Sequence, residues 1–120
     1  CRRGSIVCIL DAAIAGNRSS HVDYLLSKQA LAALVSLAAV EFAPEIRVNA
    51  VAPGPILPPP GGDRADLERL AACLPLQRGG SPADIAQAVN YLLEASFVHG
   101  HTLYVDGGAH LLQTAGGENT

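Results

Sequence analysis

Ser5-Ile-Val-Cys-Ile-Leu10 is a continuous apolar run with no polar alternation, the pattern of a strand buried on both faces of a parallel sheet. A small-residue loop follows from Asp11 to Ser20, with a turn signal at Gly16-Asn17. Next comes a helical segment, Val22 to Phe42, rich in Ala and Leu and closed by Pro44, and then a second short strand, Arg47-Val-Asn-Ala-Val51. Strand, helix and strand joined by short connections make a βαβ unit, which requires a crossover and a parallel sheet. The reading is therefore α/β, a Rossmann-like doubly wound parallel sheet.

The rest of the chain extends this unit. Ala52 to Gly62 holds Pro53, Pro55, Pro58, Pro59 and Pro60 and reads as a loop. Arg64 to Cys73 is a short amphipathic helix with Leu67, Leu70 and Ala71 at helical spacing. Ser81-Pro82-Ala83-Asp84 opens another, with a cap, a proline at the first helical position and an acid at the third. Its buried stripe is Ile85, Ala88, Val89 and Leu92. Thr102-Leu-Tyr-Val105 is a third strand, stopped by Asp106-Gly107-Gly108. The polar, Gly-rich residues 113–120 are expected to be a flexible tail on a unit spanning residues 1–112.

Composition narrows the class. The 120 residues are 49% hydrophobic and 16% charged, which excludes a disordered tail. A net charge of −3 gives no support for nucleic acid or anionic lipid as a partner. Ala30 to Val40, the longest apolar stretch, is interrupted by Ser36 and is too short to span a bilayer. No charged leader with an apolar run and cleavage site is visible. Cys1, Cys8 and Cys73 lack metal-ligand spacing and read as reduced thiols in a cytoplasmic protein, Cys8 being inert inside its strand. There is no methionine and the chain opens at Cys1, which reads as the C-terminal part of something longer.

The helix Val22 to Phe42 is apolar nearly all round. Leu26, Ala30, Ala33 and Leu37 lie on one face, with Leu31, Val35 and Ala38 on another. Such a helix is covered on more than one side, by the sheet and by a second subunit, so a homodimer or homotetramer is expected.

Lys28 is the sole lysine and lies four residues after Tyr24, so ammonium and phenol share a helix face. A neighbouring cation favours phenolate and is expected to lower the tyrosine pKa, suiting proton exchange with a carbonyl or imine during hydride transfer. The plain alternative is an incidental surface pair.

Three motifs in order weigh against that alternative: Tyr24-x-x-x-Lys28, Asn49-x-x-x-Pro53-Gly54, and Asp106-Gly107-Gly108 closing a strand. The set resembles the C-terminal half of the short-chain dehydrogenases/reductases, over about Gly4 to Leu112. The resemblance implies Tyr24 as general acid in reduction. It implies Lys28 as the group that depresses its pKa and binds the nicotinamide ribose. Pro53, Gly54, Pro55 and Ile56 would border the nicotinamide, the Ile56 backbone holding its carboxamide. A proline-fixed turn at the C-terminal end of a parallel strand is where open α/β sheets bind ligands.

One departure sharpens this. The family normally has a serine thirteen positions before the tyrosine, and here Asp11 stands there, Ser19 and Ser20 lying too close to Tyr24 to substitute. An ionised carboxylate cannot donate to a ketone oxygen but can accept from an amino or ring N–H. Aspartate at this place is similar to the pteridine reductases and dihydromonapterin/dihydrofolate reductases of the family. That resemblance implies NADPH, NADH remaining open, and a pterin or folate-like substrate with a reducible C=N bond. The alternatives are a reductase of ketones or 3-oxoacyl thioesters, or a non-catalytic dimerisation half-domain. The family's Gly-rich phosphate turn is not in these 120 residues, so this segment alone is expected to be inactive. His99-Gly-His101 lacks further ligands at metal spacing and reads as a strand entry. His21 and Asp23 read as solvent-facing. Pro58 to Pro60 read as a hinge for a substrate lid formed by Arg64 to Cys73.

Overall fold

The computed structural model describes residues 3–16 and 21–113. Three parallel strands, β1 (Gly4–Ile9), β2 (Ile46–Pro53) and β3 (Thr102–Val105), lie in the order β1-β2-β3. Helix α1 (Val22–Phe42) crosses from β1 to β2, and α2 (Arg64–Ala72) and α3 (Pro82–Glu94) cross from β2 to β3. A short 3-10 helix, Ala12–Ala15, follows β1, and α4 (Ala109–Gln113) follows β3. The α/β expectation holds, and α1 has the bounds read from sequence.

The core is two-sided, as a sheet between helices requires. On one face Leu10, Val48, Ala50 and Ala52 meet Val35 and Ala39 of α1. On the other, Val51 packs against Ala88 and Leu92 of α3. Small alanines in β2 let both helices approach closely, and β2 is accordingly almost fully buried from Val48 to Ala52. Both capping boxes form. Asp63 and Asp66 close the start of α2, and Ser81 and Asp84 close the start of α3.

Two polar residues on β2 fasten the α3–β3 connection. Arg47 donates through Nη1 to the carbonyls of Leu92, Ala95 and Val98, and through Nη2 to that of Leu93. The guanidinium thus satisfies the orphan carbonyls at the C-terminus of α3. Asn49 is fully buried; its Nδ2 donates to the Val98 carbonyl at 2.9 Å and its Oδ1 accepts from the His101 N–H at 3.0 Å. The motif asparagine is therefore a brace between strands.

Several expectations are corrected. β1 is covered on both faces but incompletely buried: Cys8 packs on the α1 side and Val7 on the α3 side, while Ile6 and Ile9 are exposed, β1 pairing only with β2 among the described residues. Pro53 does not begin the loop but ends β2, in register with Val105; a proline at a strand terminus sacrifices no interior ladder bond. The segment assigned to a tail from residue 113 begins inside α4, a helix too short for its periodicity to show. Residues 114–120, like Cys1, Asn17, Ser19 and Ser20, lie outside the described residues.

α1 is long and apolar enough to cross a membrane by length and composition alone. Its position as the crossover between parallel strands, with Leu25, Val35 and Ala39 buried, is that of a core helix. Its other side is bare: Leu26, Leu34, Leu37 and Val40 are exposed.

Candidate active site

β1 and β2 deliver chemistry at their C-terminal ends. The Leu10 N–H still pairs with the Val51 carbonyl at 2.7 Å, so Asp11 stands directly beyond the last ladder bond of β1. Its neighbours Leu10 and Ala12 are buried, which fixes its backbone. Asp11 is the N-cap of the 3-10 helix: Oδ1 accepts the Ala13 N–H at 2.8 Å. The other oxygen, Oδ2, accepts the Tyr24 hydroxyl at 2.8 Å. The residue substituting for the family serine is therefore bonded to the tyrosine of the motif.

Lys28 lies one turn further along α1. Its Nζ donates to the Ile9 carbonyl at 3.2 Å and stands 5.8 Å from the centre of the Tyr24 ring. It thus lies by the ring and not at the hydroxyl. The expected lowering of the Tyr24 pKa is corrected accordingly. Desolvation first, then the hydrogen bond to Asp11 and the charge of that carboxylate, push it up to about 12. An anion in contact outweighs a cation at the ring face.

The β2 end is shaped by close packing. Gly54 donates its N–H to the Val105 carbonyl at 3.0 Å. A Cβ there would fall 2.7 Å from both Cα and Cβ of Asp106, so only glycine fits. Pro55 holds Gly80 through its carbonyl at 3.2 Å. The backbone N–H and C=O of Ile56 make no hydrogen bond among the described residues. Pro55 and Ile56 form one wall of a cavity of about 450 Å³ whose other walls include Tyr104, Asp106 and His110.

That third wall was not foreseen. Asp106 is buried; its Oδ1 accepts from the Gly108 N–H and its Oδ2 from both the His110 N–H and ring Nδ1. Facing an acceptor-only carboxylate, Nδ1 carries the proton. The His110 ring stacks on Tyr104, centroids 4.4 Å apart and planes at 22°. Sequence did hold a signal: Asp106-Gly-Gly-Ala-His110 has the spacing of an acid capping a helix whose first turn bears a histidine. His99 is engaged on both nitrogens, Nδ1 accepting from the Val48 N–H and Nε2 donating to the Ala39 carbonyl. It locks α1 to β2. His21 and Asp23 are exposed.

Comparison with known proteins follows from this geometry. The model of the enoyl-(acyl carrier protein) reductase family matches residues 1–110. The chain belongs to the short-chain dehydrogenase/reductase family. Among its relatives, a bovine 3-oxoacyl-[acyl-carrier-protein] reductase is 40% identical over 111 residues, covering 92% of the chain and 46% of the relative. The FolM alternative dihydrofolate reductase 1 of Brucella canis, solved in complex with NADP, superposes with a TM-score of 0.88 at 37% identity, over 92% of this chain and 44% of that one. The aldohexose dehydrogenase of Thermoplasma acidophilum superposes with a TM-score of 0.78 at 32% identity, over 100% and 52%. The chain spans about half the length of the curated relatives it matches.

Proposed function

We propose that the protein containing this chain is an NADPH-dependent reductase of a C=N bond in a pterin- or dihydrofolate-type substrate. The observation that carries the reading is the carboxylate of Asp11 bonded to the Tyr24 hydroxyl at 2.8 Å. A carboxylate only accepts hydrogen bonds. A ketone offers it no proton, whereas an aminopyrimidine ring offers amino and ring N–H groups. The FolM relative solved with NADP supports the same choice of substrate class and cofactor.

The residues present suit a reduced nicotinamide. Ile56 presents an open N–H and C=O, Pro53 and Pro55 stiffen the turn that bears them, and the Lys28 ammonium has donors beyond the one given to Ile9. When bound, the nicotinamide supplies the hydride that adds to carbon. Tyr24 supplies the proton that adds to nitrogen. Its raised pKa keeps it neutral near neutral pH, the state a donor must have. Asp11 holds that hydroxyl before transfer; as the proton passes from Tyr24 to the substrate nitrogen its bond to Oδ2 is released, and the carboxylate accepts a substrate N–H. Lys28 orients the ring and reaches toward the ribose. Helix α2, behind the hinge Pro58 to Pro60, closes over the substrate.

The same reading places residues 1–112 in the C-terminal part of one dinucleotide-binding domain, and the 120-residue segment alone does not turn over. The bare stripe on α1 seats a second copy, in a dimer or tetramer. The free thiols of Cys8 and Cys73 suit a cytoplasmic setting. A second reading, reduction of a ketone or 3-oxoacyl thioester, draws on the bovine relative; a non-catalytic dimerisation module draws on the bare stripe alone.

The test begins with an intact mass of the purified protein, then NADPH oxidation with dihydrobiopterin, dihydrofolate and a simple ketone. Turnover of the pterin or folate, lost in Asp11→Ala, is expected. Turnover of the ketone alone, unaffected by Asp11→Ala, overturns the pterin reading. A mass equal to the 120 residues together with turnover overturns the inactivity of the segment.

A further inference from the structure

Asp106 and His110 touch neither Tyr24 nor Lys28, yet contacts lead from them to the Asp11 carboxylate. Three donors converge on Asp106: the Gly108 N–H at 3.1 Å, the His110 N–H at 2.7 Å and His110 Nδ1–H at 2.8 Å. They tie the first turn of α4 to the end of β3. The His110 ring lies on Tyr104. α4 then packs against the 3-10 helix Ala12–Ala15. Ile14 of that helix and Tyr104 both pack on the core cluster that contains Leu10. The 3-10 helix starts at Asp11 and is held to it by the Ala13 N–H on Oδ1.

We propose that Asp106 and His110 are a positioning pair, clamping α4 onto the 3-10 helix so that the second oxygen of Asp11 stays in reach of the Tyr24 hydroxyl. The Ala13 bond fixes the carboxylate to the 3-10 helix, and α4 packs against that helix, whose Ala12 is buried and whose Ile14 sits on the core cluster. Loosening α4 lets the Asp11 side chain turn from the Tyr24 hydroxyl while its backbone stays in place. The clamp needs a donor at the place of Nδ1, since the buried carboxylate would otherwise lose one of its two partners on Oδ2. The proposal is independent of which substrate Tyr24 serves.

The experiment is an ultraviolet titration of Tyr24 in the intact protein, isolated in each background by subtracting the Tyr24→Phe variant, which removes Tyr91 and Tyr104 from the difference. His110→Ala is expected to weaken the hold on the Tyr24 proton by about threefold, since the Asp11 contact is one of the causes that raise its pKa. His110→Asn, whose amide nitrogen falls where Nδ1 lies, is expected to keep the wild-type titration. In an Asp11→Asn background, His110→Ala should add no further change, because coupled residues are non-additive. An unchanged Tyr24 in His110→Ala overturns the proposal, as do equal losses in the Ala and Asn variants. Should His110→Ala lose its circular dichroism, His110→Gln replaces it: equal titration of the Asn and Gln variants then overturns the clamp.

Discussion

The Tyr24 hydroxyl donates to Asp11 Oδ2 at 2.8 Å across thirteen residues of sequence, and this bond adds to desolvation in holding the Tyr24 proton. Desolvation and Asp11 together raise the Tyr24 pKa to about 12. Asp11→Asn removes the charge but leaves the desolvation, so the Tyr24 pKa should fall while staying above the ordinary value of 10.0. A tyrosinate titration with Tyr24→Phe as reference measures it.

The same shift fixes the sign of an alkaline stability change. A group whose pKa is higher folded than unfolded stabilises the fold fully below its unfolded value. Tyr24 therefore contributes below pH 10 and ceases to do so as the pH rises through about 12. Denaturation midpoints measured across this window should fall more steeply in wild type than in Tyr24→Phe.

Under the proposed mechanism, Tyr24→Phe removes the proton donor together with its hydrogen bond to Asp11. Turnover by the intact protein should fall about 100- to 10,000-fold, with dinucleotide binding largely retained. Stopped activity assays together with cofactor fluorescence titration separate the two effects.

Arg47 donates to four carbonyls around the end of α3. Arg47→Ala leaves those groups unpaired and should destabilise the protein by about 2–4 kcal/mol in urea denaturation. Arg47→Lys should recover only part, since an ammonium cannot reproduce a planar fork with five donors.

Leu34, Leu37 and Val40 expose apolar surface on α1. If a second copy covers it, Leu37→Glu places a charge in that contact and should shift the assembly to smaller species in light scattering, with α1 still helical. An unchanged mass would remove α1 from the interface.

What could be read from sequence, and what could not, divides by range. The βαβ unit, the Ser81/Asp84 capping box and the Tyr24/Lys28 pair depend on short-range spacings, and all emerged; the Asp63/Asp66 box of α2 was found only in the structure. Arg47, Asn49 and His99 took their meaning from partners about fifty residues away in sequence, which no local pattern contains. The Tyr24 pKa went the other way for the same reason. The nearby lysine was visible at four residues' distance, while the desolvation of the hydroxyl, the largest cause, and its bond to Asp11 came only with the fold. Pro53 misled because five prolines between Ala52 and Gly62 look alike in sequence, although the first of them still sits in the ladder opposite Val105.

Asp11 uses one oxygen to start the 3-10 helix and the other to hold Tyr24. A serine at this position has one oxygen for both partners. Exchange between the two residue types therefore changes the cap on the Ala13 N–H and the hydrogen-bond polarity met by Tyr24 in one step. The start of the 3-10 helix and the partner of the Tyr24 hydroxyl do not vary independently.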